Sequence, residues 1–128
     1  MTEPGATGAA VDRYLAALNA HDADACADAV TPDFVNEHTS ARGHGVTGRA
    51  AYRERLEGFF ATFTGLRYDV EDRIVDGDRA AVPYTMSAVV DGRPVRIRGM
   101  FRFAVRDGLV AHRVDYWDGE DFRRQVEA

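Results

Sequence analysis

Three side chains that can exchange protons or form hydrogen bonds stand side by side early in the chain. Asn36, Glu37 and His38 follow the apolar pair Phe34 and Val35 and precede a Gly-rich loop. An amide donates and accepts hydrogen bonds, and an imidazole changes its charge near neutral pH. Neighbouring strand residues point to opposite faces, so Asn36 and His38 should share a face and Glu37 should point away. We therefore expect acid–base chemistry or ligand binding at Asn36 and His38, and a solvent-exposed carboxylate or ion pair at Glu37.

The remaining sequence motifs do not favour a metal, phosphate or nucleophile site. His21, His44 and His112 lack the spacing of a ligand set, so no metal site is expected. The stretch "GHGVTG" lacks the Lys-Ser/Thr ending of a phosphate loop, and no serine lies in a nucleophile elbow. Cys26, in the Ala-rich "DADACADAV", is expected to be a small buried core residue.

Composition indicates a globular chain that binds neither nucleic acid nor membrane. Of 128 residues, 45% are apolar and 29% charged. The net charge of -5 disfavours nucleic acid, and the sequence has no apolar run long enough for a membrane helix. The start "MTEPGATGAA" lacks a signal-peptide pattern, so we expect a cytoplasmic location. Residues 1–7 are expected to be a flexible N-terminus and residues 8–128 a single domain.

The elements that must position these groups are helices first and strands afterwards. Val11, Tyr14 and Leu18 recur at helical spacing, and a third helix begins at Thr47 or Gly48. The predicted bounds are 9–20 and 22–30 for two helices, 34–38 for a strand, 39–46 for a loop and 120–126 for a last helix. After Gly65 the period changes to two, and turn signals separate strands 66–76, 79–90, 93–106 and 109–118. This order predicts an α+β fold in which helices cover one face of a curled antiparallel sheet around a concave space that suits a small ligand.

Nearly the whole chain, about residues 11–125, resembles the nuclear transport factor 2-like superfamily. The resemblance lies in "RYLAALNAHDADACADAVTPDFV", "GVTGRAAYRERLEGFF", "GRPVRIRGMFRF" and "DGLVAHRVDYWDGEDF". It is strongest to SnoaL-like polyketide cyclases, with ketosteroid isomerases and limonene epoxide hydrolases as more distant relatives. It implies a cystatin-like cone, with helices on the concave face of the sheet. It also implies cofactor-independent proton abstraction next to a carbonyl in a small hydrophobic molecule.

The resemblance assigns candidate residues one position at a time. Tyr14 matches the helix tyrosine with which isomerases bind an oxyanion, His38 stands at the isomerase base and Met100 at its protonated aspartate. Asp115 in "HRVDYW" matches the acid–base aspartate in the "HRDW" of the cyclases. It also matches the base of the epoxide hydrolases, whose Arg/Asp pair is replaced here by Thr85 and Ser87.

The resulting predicted site has Asp115 as the base and His38 as a proton shuttle or carbonyl-polarising group. Tyr14 and Asn36 are the expected oxyanion donors. The predicted substrate-binding residues are Tyr52, Leu56, Phe59, Phe63, Arg98, Met100 and Trp117. Epoxide hydrolysis and non-catalytic binding of a ligand or partner remain alternative functions. No cofactor is expected.

The sheet face that carries Asp115 is left open by the sequence. A two-residue turn at Asp107 and Gly108 places Asp115 opposite Met100, on the same face as Arg98. Simple alternation makes this an exposed face, on which Asp115 would be a surface ion pair. The resemblance instead makes it the cavity wall. The apolar face, with Phe101, Phe103, Val110 and Tyr116, would then be buried in a homodimer. A bulge near Val114 could also switch the faces.

Overall fold

The computed structural model describes residues 4–127 and has the α+β order that the sequence predicts. The helices are α1 (Pro4–Asn19), α2 (Ala23–Asp28), α3 (Arg49–Thr62) and α4 (Gly119–Glu127). The strands are β1 (Val30–His38), β2 (Val46–Thr47), β3 (Thr64–Val70), β4 (Ile74–Asp76), β5 (Arg79–Val90), β6 (Arg93–Arg106) and β7 (Leu109–Tyr116). No helix within these residues is long and apolar enough to cross a membrane.

All the strands form one curled sheet, in the order β2-β1-β7-β6-β5-β3, with β4 paired to β5. Every pairing is antiparallel except that of β1 with β7, which is parallel. Helix α1 lies across the concave face, where Tyr14 and Leu18 are fully buried with Phe34, Phe101 and Phe103. The predicted cone, with helices on the concave face of a mostly antiparallel sheet, is confirmed.

Several predicted element bounds are wrong at the N-terminal half. Residues 4–7 belong to α1 and are not a flexible tail: Thr7 is fully buried and its hydroxyl donates to the Gly77 carbonyl at 2.8 Å. Residues 1–3 lie outside the described part of the chain. Helix α2 ends at Asp28, and Pro32 lies inside β1, where the pairing with β7 is irregular and a missing N–H is tolerated. The predicted strand 66–76 is two strands, and β2 was not predicted.

The pairing of β6 with β7 contains a β-bulge that switches the faces, as in the alternative left open near Val114, but it lies three residues earlier, at Ala111. The turn at Asp107 and Gly108 is the expected two-residue turn, with φ of 54° and 76°. Beyond it, Val105 pairs with Val110, but the next pair is Ala104 with His112, so Ala111 is the additional residue. Asp115 therefore lies opposite Phe101 and not opposite Met100.

The bulge puts Asp115 on the face of Phe101, and burial shows that this is the inner face of the sheet. Phe101, Phe103 and Val110 are fully buried in the core, so they do not form an apolar outer surface. Arg98 and Met100 lie on the outer face, where Arg98 pairs with Glu71 at 2.6 Å. The argument for a homodimer through Phe101, Phe103 and Val110 is therefore wrong. Dimerisation itself stays a prediction that sedimentation at micromolar concentration can test.

Candidate functional site

A cavity of about 230 Å³ opens between α3, α4 and the concave face of the sheet. Tyr52, Leu56, Phe59 and Phe63 line it because spacings of three and four residues place them on one face of α3 and its end. Trp117 lines it just after β7. These five side chains occupy the cavity wall that the sequence predicts for them. The other predicted substrate contacts, Arg98 and Met100, lie outside the cavity.

The parallel pairing of β1 with β7 assembles the polar end of the cavity. In this register Asn36 stands beside Arg113 and His38 beside Asp115, and all four side chains line the cavity. The bulge at Ala111 turns Arg113 and Asp115 inward, and alternation along β1 turns Asn36 and His38 inward. Glu37 points away, as expected, and its carboxylate pairs with His112 at 3.0 Å.

Asp115 is a buried carboxylate with one oxygen left free for a ligand. Its side chain is almost inaccessible, and its Oδ1 accepts a hydrogen bond from the Tyr84 hydroxyl at 2.5 Å. Among the described residues no donor bonds to Oδ2. Burial raises the pKa of Asp115, although the charge of Arg113 and the Tyr84 hydrogen bond act in the opposite direction. A carboxylate in this environment is a stronger base than one in water.

His38 is held neutral, with its proton on Nε2. The indole N–H of Trp117 donates to its Nδ1 at 2.9 Å, and an indole nitrogen can only donate. Nδ1 is therefore unprotonated and, although 3.7 Å from Asp115 Oδ2, forms no ion pair with it. Burial lowers the pKa of His38 to about 4, and the positive charges of Arg113 and Arg55 reinforce the effect. Above that pH the ring can donate a hydrogen bond through Nε2.

Arg113 is a buried cation whose partners are neutral groups. Its Nε donates to Asn36 Oδ1 at 2.8 Å and its Nη1 to the Tyr14 hydroxyl at 3.0 Å, while its guanidinium lies 5.0 Å from the centre of the Phe101 ring. Burial alone acts to lower the pKa of Arg113. The hydroxyls of Tyr14 and Tyr52 and the carboxylate of Asp115 outweigh burial and leave that pKa above its ordinary value.

This network leaves several donors directed at the cavity. Because arginine only donates, the amide atom of Asn36 that faces Arg113 is its oxygen, so its NH₂ group is free for a ligand. Nη2 of Arg113 has no partner among the described residues. Tyr14 is fully buried and does not line the cavity. Its hydroxyl is hydrogen-bonded to Arg113 and to the Tyr52 hydroxyl, and of these two tyrosines Tyr52 is the one that lines the cavity.

Sequence reasoning missed Arg113, Tyr84 and Arg55 as cavity residues. Alternation alone links Arg113 to Asp115, since residues two apart share a face. On β5 the inward residues are Tyr84 and Met86, and not Thr85 and Ser87. Thr85 lies on the outer face and donates to Glu71 at 2.8 Å. Asp118 caps α4 by accepting from the backbone N–H groups of residues 120 and 121 at 2.9 and 3.1 Å.

The structure of residues 4–127 contains no cluster of three or more His, Cys, Asp or Glu side chains that could hold a metal ion. Cys26 is buried in the core, and burial raises the pKa of its thiol to about 12. The polar residues of the β1–β7 pair line the cavity together with His44, Tyr52, Arg55, Tyr68 and Tyr84.

Comparison with known proteins identifies similar sequences and folds. A family described as SnoaL-like domain matches residues 11–113, and no curated protein sequence matches the chain. An LEH-like epoxide hydrolase of Mycobacterium tuberculosis is 22% identical, with a TM-score of 0.83 over 98% of this chain and 93% of that one. TerC, crystallised with polyporic acid, is 21% identical, with a TM-score of 0.84 over 96% of this chain and 99% of TerC. A candidate polyketide cyclase of Xanthomonas campestris is 22% identical, with a TM-score of 0.81 over 98% and 99%.

Proposed function

Because the chain belongs to the family of SnoaL-like domains, we propose that it is a cofactor-independent acid–base enzyme acting on a small hydrophobic carbonyl compound. The observation that carries this proposal is the free Oδ2 of Asp115, a buried carboxylate oxygen on the wall of a largely apolar cavity. Hydrogen-bond donors from Arg113, Asn36 and Tyr52 lie around the same end of the cavity.

In the proposed reaction, Oδ2 of Asp115 removes a proton from the carbon next to the carbonyl. The C–H electron pair moves into the new C=C bond, and the carbonyl oxygen becomes an enolate oxygen. The NH₂ group of Asn36, Nη2 of Arg113 and the Tyr52 hydroxyl donate hydrogen bonds to that oxygen. A preorganised charged donor in a cavity of low dielectric stabilises an enolate far more than the neutral ketone.

The protonated Asp115 then completes one of two outcomes. In isomerisation the substrate carries a C=C bond next to the α-carbon, so the enolate is a dienolate; Asp115 returns the proton to the far end of the dienolate, and the C=C bond moves into conjugation with the carbonyl. In cyclisation the enolate carbon attacks a second carbonyl of the same molecule, and the new alkoxide takes up a proton. Protonated Asp115 is the proposed proton donor for that alkoxide, which returns Asp115 to its carboxylate form, and neutral His38 donates a hydrogen bond to the same oxygen through Nε2. Each outcome is lyase- or isomerase-type chemistry and neither needs an oxidant or a metal.

Exchange of α-protons with D₂O tests the proton-abstraction step without knowledge of the natural substrate. Ketones of suitable size, such as 2-tetralone, are first screened for binding by thermal shift and then incubated with protein in D₂O. We expect NMR to show deuterium entering the α-position faster than in protein-free buffer. Ketones that bind without faster exchange would contradict the proposal and favour a non-catalytic binding protein.

Epoxide opening is the second candidate. The similarity of fold to the mycobacterial epoxide hydrolase and the adjacency of Asp115 to Asn36 favour it, because a carboxylate and an amide can together orient an attacking water. Against it, Asp115 is the only carboxylate lining the cavity among residues 4–127, so no second one can protonate the epoxide oxygen. Formation of diols from a panel of cyclic epoxides would favour this candidate over enolisation.

A further inference from the structure

A positive group lies at the entrance of the cavity and is not used by the proposed chemistry. Arg55 is an exposed residue of α3, yet it lines the cavity because it shares a helix face with Tyr52 and Phe59. Its Nη1 donates to the backbone carbonyl of His44 at 2.9 Å. This contact joins α3 to the loop that follows β1 and fixes the direction of the guanidinium. Its other amino groups have no hydrogen-bond partner among the described residues.

The cavity is electropositive in an otherwise acidic chain. Its lining includes two guanidinium groups, Arg55 and Arg113, and a single carboxylate, Asp115, whereas the whole chain has a net charge of -5. Helix α4 contributes Phe122 to the lining, and two of its carboxylates are engaged within the helix. Glu120 pairs with Arg123, and Asp121 lies 3.7 Å from Arg124. Within residues 4–127, Arg55 forms no ion pair, so its charge acts on the entrance without compensation.

We propose that Arg55, held by the His44 carbonyl, forms an anion-binding subsite at the entrance, and that the substrate is a hydrophobic keto acid. The carboxylate of such a compound would accept hydrogen bonds from Arg55. Its apolar body would lie against Phe59, Phe63 and Trp117, and its carbonyl would reach the buried end. A carboxylate fits because guanidinium groups donate two parallel hydrogen bonds to it. The position of the carbonyl rests on the proposed function, whereas the anion subsite does not.

A matched pair of ligands tests the subsite without turnover. 2-Naphthoate and 2-acetonaphthone share one ring system and differ in having a carboxylate or a neutral methyl ketone. Isothermal titration calorimetry on the full chain gives the dissociation constant of each. We expect the wild type to bind 2-naphthoate more tightly than 2-acetonaphthone, and added salt to reduce that preference.

The variant Arg55→Gln tests whether Arg55 causes the preference for 2-naphthoate over 2-acetonaphthone. The variant should weaken 2-naphthoate binding by about tenfold, the scale of one charge-assisted contact, and change 2-acetonaphthone binding by less than about twofold. The matched control is Arg53→Gln. Arg53 lies two residues away on α3, pairs with Asp24 and does not line the cavity. That variant should leave both affinities unchanged.

Three results would overturn the subsite. They are the absence of measurable 2-naphthoate binding to the wild type, an unchanged 2-naphthoate affinity in Arg55→Gln, and an equal loss for both ligands. A different result would show that the proposed function is wrong while the anion subsite is right. The anion preference would then survive, and depend on Arg55, while no bound ketone exchanged its α-protons.

Discussion

The indole N–H of Trp117 donates a hydrogen bond to Nδ1 of His38 at 2.9 Å, and this contact decides what the imidazole can do. Because Nδ1 accepts this hydrogen bond, the proton of the neutral ring lies on Nε2, and adding a second proton at Nδ1 is unfavourable. His38 is therefore a donor at neutral pH and not the base. The buried carboxylate of Asp115 is the remaining group able to take a proton from a ligand.

The charge state of His38 is directly measurable. Its pKa of about 4 means that the ring stays neutral, protonated at Nε2, from about pH 8 down to about pH 5. NMR of ¹⁵N-histidine-labelled protein should show one protonated and one unprotonated ring nitrogen throughout that range. In Trp117→Phe, which removes the indole donor, the pKa should rise, but burial and the charge of Arg113 should still keep it below the ordinary value of about 6.5. Titration of wild-type His38 near that ordinary value would contradict this assignment.

Tyr84 should adjust the pKa of Asp115 and not act as the base itself. Its hydroxyl hydrogen-bonds the ionised carboxylate and therefore holds the pKa of Asp115 below the value that burial alone would give. Tyr84→Phe removes that bond, so the pKa should rise further. The acidic limb of the α-proton exchange rate should then move to higher pH, while the rate at high pH stays within roughly tenfold of wild type. An acidic limb that stays in place or moves to lower pH would refute the assignment.

Tyr14 and Tyr52 should contribute unequally to stability. Tyr14→Phe leaves Nη1 of buried Arg113 without its acceptor, at a cost of about 1–3 kcal/mol in the free energy of unfolding. Tyr52→Phe removes only the hydroxyl–hydroxyl contact and should cost about 0.5–1.5 kcal/mol. Urea unfolding of both variants gives the comparison. A larger loss for Tyr52→Phe than for Tyr14→Phe would be inconsistent with the network described.

The bulge residue itself should be dispensable for the inward direction of Arg113 and Asp115. Val105 pairs with Val110 and Ala104 with His112, so deletion of Ala111 leaves a regular antiparallel ladder with the same pairs beyond it. Arg113 and Asp115 should therefore stay on the concave face, and the midpoint of thermal unfolding should change by no more than about 5 °C. Ala111→Ser keeps the residue count and is the control. A deletion variant that loses ketone binding while this control keeps it would contradict the pairing described.

Much of the scaffold follows from local sequence signals. The stripe on α3 follows from three- and four-residue spacing, and the turns at Asp91-Gly92 and Asp107-Gly108 adopt the positive φ angles that such pairs favour. These signals predict the antiparallel part of the sheet and the apolar cavity wall. They are reliable because each depends on residues close together in the chain.

The polar end of the cavity depends on non-local geometry and was predicted less well. Alanine has no bulge signature, so alternation read across Ala111 put Asp115 on the face of Met100. The parallel pairing that places His38 beside Asp115 joins residues far apart in sequence, and its register follows from packing. The resemblance to ketosteroid isomerases made Tyr14 an expected oxyanion donor, but the sequence does not show that Tyr14 is buried behind Tyr52 and does not line the cavity.

The most direct test of the central claim compares wild type with Asp115→Asn for α-proton exchange of a ketone that both proteins bind. Asparagine keeps the size of the side chain and an oxygen for the Tyr84 hydroxyl, but it cannot take up the proton. We predict that the exchange rate in D₂O falls by about 10²–10⁴-fold in the variant, with the affinity for the ketone little changed. Arg98→Gln, on the outer face, should exchange at the wild-type rate. If Asp115→Asn exchanged as fast as wild type, Asp115 would not be the base.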